Sequence, residues 1–196
     1  MTAPRKSRQD SAQRRGEIAK AALQVLGESG LRGLTHRAVD AAAALAPGSV
    51  NYHAPTRQRL LDLAIDELFA RDMAIAERFF LRVQNWTPAA IAEAAAGFVD
   101  AMGGPGHRHL VVARHHLLGE AQYNSALAEK FRQQRAAFVN FVRDRFEAEG
   151  HPASTALAEM YVIAIDGLTH RQVFFAASAL APHEVIAALR TITVPP

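Results

Sequence analysis

Apolar side chains return at helical spacing along nearly the whole chain, and each run ends at a glycine or proline, a punctuated 3.6-residue period that admits packed helices and little else. Ile18, Ala21, Ala22, Val25 and Leu26 fall on one face, with Gly30 placed to stop the helix, so helix 1 is predicted over about 11–29. Thr35, a good N-cap residue, precedes a short second helix over 37–44. Ala46, Pro47 and Gly48 form a breaker before a third over about 47–53. Past Pro55 and Thr56, the pattern of Leu60, Leu61, Ala64, Leu68 and Met73 predicts a long fourth helix over about 56–82. Further helices are predicted near 88–102, 107–121, 124–149, 154–178 and 182–191, with breaks at Trp86 to Pro88, Gly103 to Pro105, Gly150 to Pro152 and Pro182. No alternating strand pattern competes. The expected fold is all-α with nine helices.

With 196 residues, 49% of them hydrophobic, the chain can bury a core, and its 21% charged content excludes a disordered or low-complexity class. Cysteine is absent, which excludes disulfides, thiolate zinc sites and a cysteine nucleophile. The segment MTAPRKSRQDSAQRR lacks the apolar stretch of a secretory signal, and no 18-residue uncharged apolar run occurs, so a soluble, cytoplasmic protein without a membrane partner is expected. The net charge of +3 hides an asymmetry. Residues 1–60 hold ten Lys or Arg against four Asp or Glu, whereas 61–196 hold twelve against fifteen. The basic end expects a polyanion, either a DNA backbone or an anionic membrane surface. Met1 to Gln13 has almost no large apolar side chain, which disfavours the membrane. Arg5, Lys6, Arg8, Arg14 and Arg15 are either a solvated end or phosphate and minor-groove contacts.

The stretch Leu34 to Leu61, LTHRAVDAAAALAPGSVNYHAPTRQRLL, places two short helices around a tight turn, which is helix-turn-helix geometry. In such a unit the second helix enters the major groove. Ala41, Ala42 and Ala44 are expected to let the two helices approach closely. Pro47, Gly48 and Ser49 start the second helix with little bulk, so that its amides could sit near a phosphate. Asn51, Tyr52 and His53 then project with groups suited to base edges or phosphate, and Arg57 adds a charge at the flank.

Ala12 to Leu61 resembles, without gaps, the DNA-binding domain of TetR-family (tetracycline-repressor-type) transcriptional regulators. An amphipathic first helix with a glycine near its end, Ile18 to Gly30, leads through the Thr-capped LTHRAV to a recognition helix. Gly48, Ser49, Val50, Asn51, Tyr52 and His53 stand where the family has G-[ST]-[LVI]-Y-[YWN]-H, and Pro55, Thr56, Arg57 and Leu60 match P-[ST]-K-x-x-L. The resemblance implies that Thr35, His36 and Arg37 anchor helix 2 on the DNA backbone. It also implies that Pro47, Gly48, Ser49, Asn51, Tyr52 and His53 face the duplex, and that Arg57 holds a phosphate. Asn51, Ala54 and Arg57 stand where the family usually has Tyr, Phe and Lys, and Ala44 replaces the turn glycine. Ala54 is expected to cost packing between helices 3 and 4.

On this reading residues 1–55 are a tail and DNA-binding domain, helix 4 over 56–82 is the link and coupling element, and 56–196 form a helical ligand-binding and dimerisation domain. Leu157, Met160, Tyr161, Ala164 and Leu168 form one apolar stripe and Ile163, Gly167 and Phe174 another, so that helix needs its own core and a partner. A homodimer is expected. In the family the last two helices pair with a second subunit, which makes Ile163, Asp166, Gly167, His170, Phe174, Ile186 and Leu189 the candidate dimer face. The family layout puts a small-molecule cavity among helices 5 to 8, with Phe98, Met102, His116, Glu120, Tyr123, Phe138 and Tyr161 as candidate ligand residues. The implied protein is a repressor that binds a near-palindromic operator as a dimer and leaves it when an effector of unknown identity binds. No cofactor, metal or catalytic residue is expected.

Two alternatives come from other classes. His107, His109, His115 and His116 cluster, and His116 with Glu120 at i, i+4 could ligate a divalent ion in a metal-dependent hydrolase, but spacing supplies no third ligand. Asp166 and His170 repeat the spacing, and a buried polar pair at the dimer contact is the expectation there. A helical adaptor binding only proteins is the other alternative, and both leave residues 34–57 unexplained.

Overall fold

The computed structural model describes residues 4–148 and 155–193, and within them every element is helical. In chain order these are α1 (Pro4–Gly33), α2 (His36–Ala42), α3 (Ser49–His53), α4 (Arg57–Phe80), α5 (Pro88–Gly103), α6 (Arg108–Ala121), α7 (Ser125–Ala148), α8 (Thr155–Phe174) and α9 (Pro182–Thr193). Nine α-helices and no strand among the described residues match the all-α expectation. The break at Gly150 to Pro152 and the helix ends at 149 and 154 lie outside the described residues, as do the side chains of Arg5, Lys6 and Arg8.

Most boundaries fall close to the punctuation. Two differ for physical reasons. α1 starts at Pro4 rather than residue 11, with proline, whose amide is not needed there, at its first position. The helix expected over 154–178 stops at Phe174 and continues as a 3₁₀ turn over Ala176–Ser178. There the Gln172 amide both donates to the Leu180 carbonyl and accepts from its N–H, at 2.9 and 3.0 Å.

The chain divides into two compact units, the first made of the residues up to Arg71 with Val112–Leu127, the second of Asp72–Val111 and Ala128 onward. In the first, α1 packs on α2 and α2 on α3. Ile18, Ala21, Ala22, Val25 and Leu26 are all buried, as the period required. Each fully buried large side chain such as Ile18 contributes about 1.5–3 kcal/mol. Gly30 breaks the helical path with φ 65° and ψ −171°, a backbone open to glycine. A Cβ there would lie 3.1 Å from Nε2 of His116, so the ring of that histidine rests on the kink.

In the second unit α5 packs on α8 and α9, and α8 on α9. Thr87 caps α5 by accepting the Ala90 N–H at 3.2 Å, and Pro88 takes its first turn. Trp86, Phe146 and Tyr161 form an edge-to-face chain with centroids 6.2 Å apart. The Tyr161 hydroxyl donates to the Ile91 carbonyl at 3.1 Å, and burial pushes that hydroxyl's pKa up.

Candidate nucleic-acid interface

Thr35 starts α2 by accepting the Ala38 N–H at 3.1 Å, and Val39 and Asp40 are its buried residues. Ala41, Ala42 and Ala44, expected to mediate the helix approach, are exposed instead. Val39 and Asp40 carry the contact because the phase of α2 turns them inward, with Val50 fully buried in α3. After α2, Ala44 takes φ 52°, the left-handed conformation the usual glycine would supply. Gly48, at φ 89°, then caps α3.

The Gly48, Ser49 and Val50 amides, the first two of which were expected to meet a phosphate, are engaged within the protein. The Gly48 N–H donates to Oδ2 of Asp40 and the Val50 N–H to its Oδ1, both at 2.8 Å. The Ser49 N–H and hydroxyl both donate to the Ala46 carbonyl, at 3.1 and 2.7 Å. Sequence reading missed Asp40, whose partners lie eight and ten residues away.

At the other end of α3 the His36 Nε2 lies 2.6 Å from the Ala54 carbonyl, and Ala54 is fully buried. α3 is thus tied at both ends to α2 by hydrogen bonds. His36 is occupied inside the module. Arg57 is exposed, yet its guanidinium donates to the carbonyls of Leu31 and Leu34 at 3.2 and 3.3 Å, pinning the start of α4 to the end of α1.

Asn51 is exposed, Tyr52 is 85% exposed, and His53 is half-buried with its ring perpendicular to that of Tyr52 at 5.0 Å. Pro47 and Gly48 are exposed and Ser49 half-buried. Between Leu34 and Leu60 the sequence has one acid, Asp40, and it is buried, while Arg37, Arg57 and Arg59 are exposed. The outer surface of α2, α3 and the first turn of α4 therefore carries cations, amide and hydroxyl groups and no carboxylate, a composition suited to a polyanion with hydrogen-bonding edges.

The other expected sites are brought together less well. Of the ligand residues, His116, Glu120 and Tyr123 belong to the first unit and Phe98, Met102, Phe138 and Tyr161 to the second. Tyr123 is 94% exposed, at the turn after α6, and so walls no cavity, whereas Tyr161 is core with its hydroxyl satisfied. An open groove of about 640 Å³ in the second unit is lined by none of the seven; Phe79, Val83, Ala90 and Ala94 supply its apolar part, and Arg82 and Glu93 also line it. Phe79 brings the Cδ1–Cε1 edge of its ring against α5 because Gly97 has no side chain, a Cβ there falling 2.9 Å from the ring.

On α8, Ala158, Tyr161, Val162, Ile165, Thr169 and Val173 face the core. Met160, Ile163 and Phe174 are exposed, and Gly167 has open space above it, so Met160 belongs to the outer stripe and not to the stripe of Tyr161. Asp166 is exposed and pairs with Arg135 at 2.8 Å, and the ring of His170 packs on Phe174 at 4.6 Å. Leu189 is fully buried against its own core, which removes it from the candidate dimer face, while Ile186 is half-buried. Among the described residues no three His, Asp or Glu side chains converge as a metal-holding group, and no helix is long and apolar enough to cross a membrane.

A short helix-turn-helix carried on a larger helical unit defines a class of regulatory proteins. Residues 86–194 match the family described as tetracyclin repressor-like, C-terminal domain, and the chain belongs to that family of transcriptional regulators. Its fold is similar to a transcriptional regulator from Rhodococcus sp. Rha1, with TM-score 0.74 and 21% identity over 91% of this chain and 92% of that one. It is similar also to a TetR-family member from Streptomyces coelicolor A3, with TM-score 0.70 and 24% identity over 93% and 99%. The multidrug binding protein EbrR complexed with malachite green gives TM-score 0.71 and 20% identity over 93% and 99%. At these identities the likeness is one of fold. No curated protein matches the chain in sequence.

Proposed function

We propose that the chain is a ligand-responsive repressor that binds a near-palindromic operator as a homodimer through α3 and releases it when a small molecule binds. The observation that carries this is the surface of α2, α3 and the first turn of α4. It presents Asn51 and Tyr52 to solvent, carries Arg37, Arg57 and Arg59, and has its one carboxylate turned inward. Asn and Tyr side chains pair with base edges and phosphates, and arginines release counterions from a duplex. Residues 1–55 form the DNA-binding domain, with Thr35 and Arg37 on the backbone, and 56–196 the ligand-binding and dimerisation domain.

The dimer reading is supported by the outer stripe of α8, Met160, Ile163, Gly167 and Phe174, with Asp166, His170 and Ile186 beside it. Isolated exposed apolar side chains are ordinary, but a stripe at i, i+3, i+7 and i+14 on one helix is a self-complementary face of the kind a two-fold axis buries. The effector is assigned to the second unit, where Phe98 and Met102 are buried in the apolar interior, Phe138 is half-buried and a separate open groove is lined by Phe79, Val83 and Ala94; the similarity of fold to EbrR makes malachite green a first probe. The chain passes between its two units within α4, α6 and α7, and of these α4 follows directly on the helix-turn-helix, which makes it the candidate coupling element. A coupling of 1–3 kcal/mol corresponds to roughly a 5- to 150-fold change in DNA affinity.

The test is selection of bound fragments from genomic DNA, followed by a salt titration on the recovered duplex. A recovered inverted repeat whose affinity falls steeply with salt supports the reading. Recovery of no common sequence contradicts it.

A further inference from the structure

α3 is five residues long, Ser49 to His53, too short to hold itself as a helix, and Val50 is its one buried side chain. What fixes its direction is a carboxylate. Asp40 is 5% exposed and accepts from the Gly48 and Val50 amides, one on each oxygen, at 2.8 Å. A buried carboxylate is tolerated only where such bonds compensate its lost hydration, and a charge-assisted bond is about twice as strong as a neutral one. The nearest alternatives in this run of alanines would leave both amides without a partner.

We propose that Asp40 is a specificity-determining positioning residue. Its carboxylate occupies the head of α3 from within, so the helix does not dock amide-first on a DNA phosphate. The fixed direction instead presents Asn51 and Tyr52 to base edges. The residue touches no DNA itself. This rests on the DNA-binding reading above and adds to it the origin of sequence preference. The carboxylate also lowers the positive charge of the surface, so it lowers non-specific affinity while raising selectivity.

The test compares Asp40→Asn with wild type on the selected operator and on a mixed-sequence duplex of equal length, with circular dichroism and sedimentation as checks on fold and assembly. The Asn side chain has one acceptor oxygen, so it keeps one of the two bonds. The operator-to-mixed affinity ratio is expected to fall by about tenfold or more, the worth of one good base contact, while mixed-sequence affinity stays equal or rises. A merely structural role would lower both affinities in proportion, or neither, and either result overturns the proposal. Should Asp40→Asn fail to fold, Asp40→Glu keeps the charge and lengthens the arm by one methylene. Selection with that variant should recover a different sequence at the bases α3 reads, and recovery of the wild-type sequence at the same ratio overturns the proposal. If wild type itself prefers no fragment, the DNA-binding reading falls and this one with it. If wild type is selective and the variants are equally so, only the role of Asp40 falls.

Discussion

Helix α3 turns Asn51 and Tyr52 to solvent on a surface with no exposed carboxylate, whereas the outer face of α8 turns out Met160, Ile163 and Phe174. The first surface is polar and held from behind by Asp40 and His36; the second is apolar and continuous with a helix whose other face is core. The difference is one of partner chemistry. Hydrogen-bonding groups among cations suit a hydrated polyanion, and an apolar stripe suits exclusion of water by a like surface.

The largest expected effect separates the two surfaces outright. Asn51→Ala with Tyr52→Ala should weaken operator binding on the order of a hundredfold or more, two base contacts at 1–3 kcal/mol each, with sedimentation of the dimer unchanged. Conversely, Ile163→Asp places a charge in the α8 stripe and should raise the dimer dissociation constant by roughly 30-fold, the worth of a 2 kcal/mol hot spot, with helical content intact. Analytical ultracentrifugation reads that shift. If the first variant dissociates the dimer, or the second leaves it untouched, the contrast is misassigned.

Smaller effects concern what lies behind each surface. Tyr161→Phe removes the hydroxyl that donates to the Ile91 carbonyl, which keeps its bond within α5, and should cost about 1 kcal/mol in denaturant unfolding. The native state keeps the Tyr161 proton where the unfolded chain releases it, so wild-type stability should decline above about pH 10, and the variant should lose that part of the decline. Ala44→Gly relieves a left-handed alanine in the turn before α3 and should raise stability by roughly 0.5–1 kcal/mol, read as a higher thermal midpoint.

The same contrast explains what was legible in the sequence. Helix boundaries followed from glycine and proline breakers and apolar period, as at Pro88, while Gly30, expected to end helix 1, marks a kink inside α1; Asn51 and Tyr52 stood out within a motif of fixed spacing. Asp40 did not, because a lone acid among alanines has no period and its partners are set by the left-handed turns at Ala44 and Gly48. Leu189 was assigned outward from the family layout, in which the last two helices pair with a partner, although Val185 and Leu189 at i, i+4 lie on the one apolar face of α9 and that face is buried in its own core. Tyr123 was placed in a cavity for its aromatic character, but its position in the turn after α6 leaves it in solvent.

Chemical footprinting of the selected operator by the wild-type protein tests most directly whether α3 reads DNA twice, through a two-fold dimer. The account predicts two protected major-groove patches on one side of the duplex, roughly 34–36 Å apart, with one dimer per site. Protection of a single patch, or of none, would contradict it.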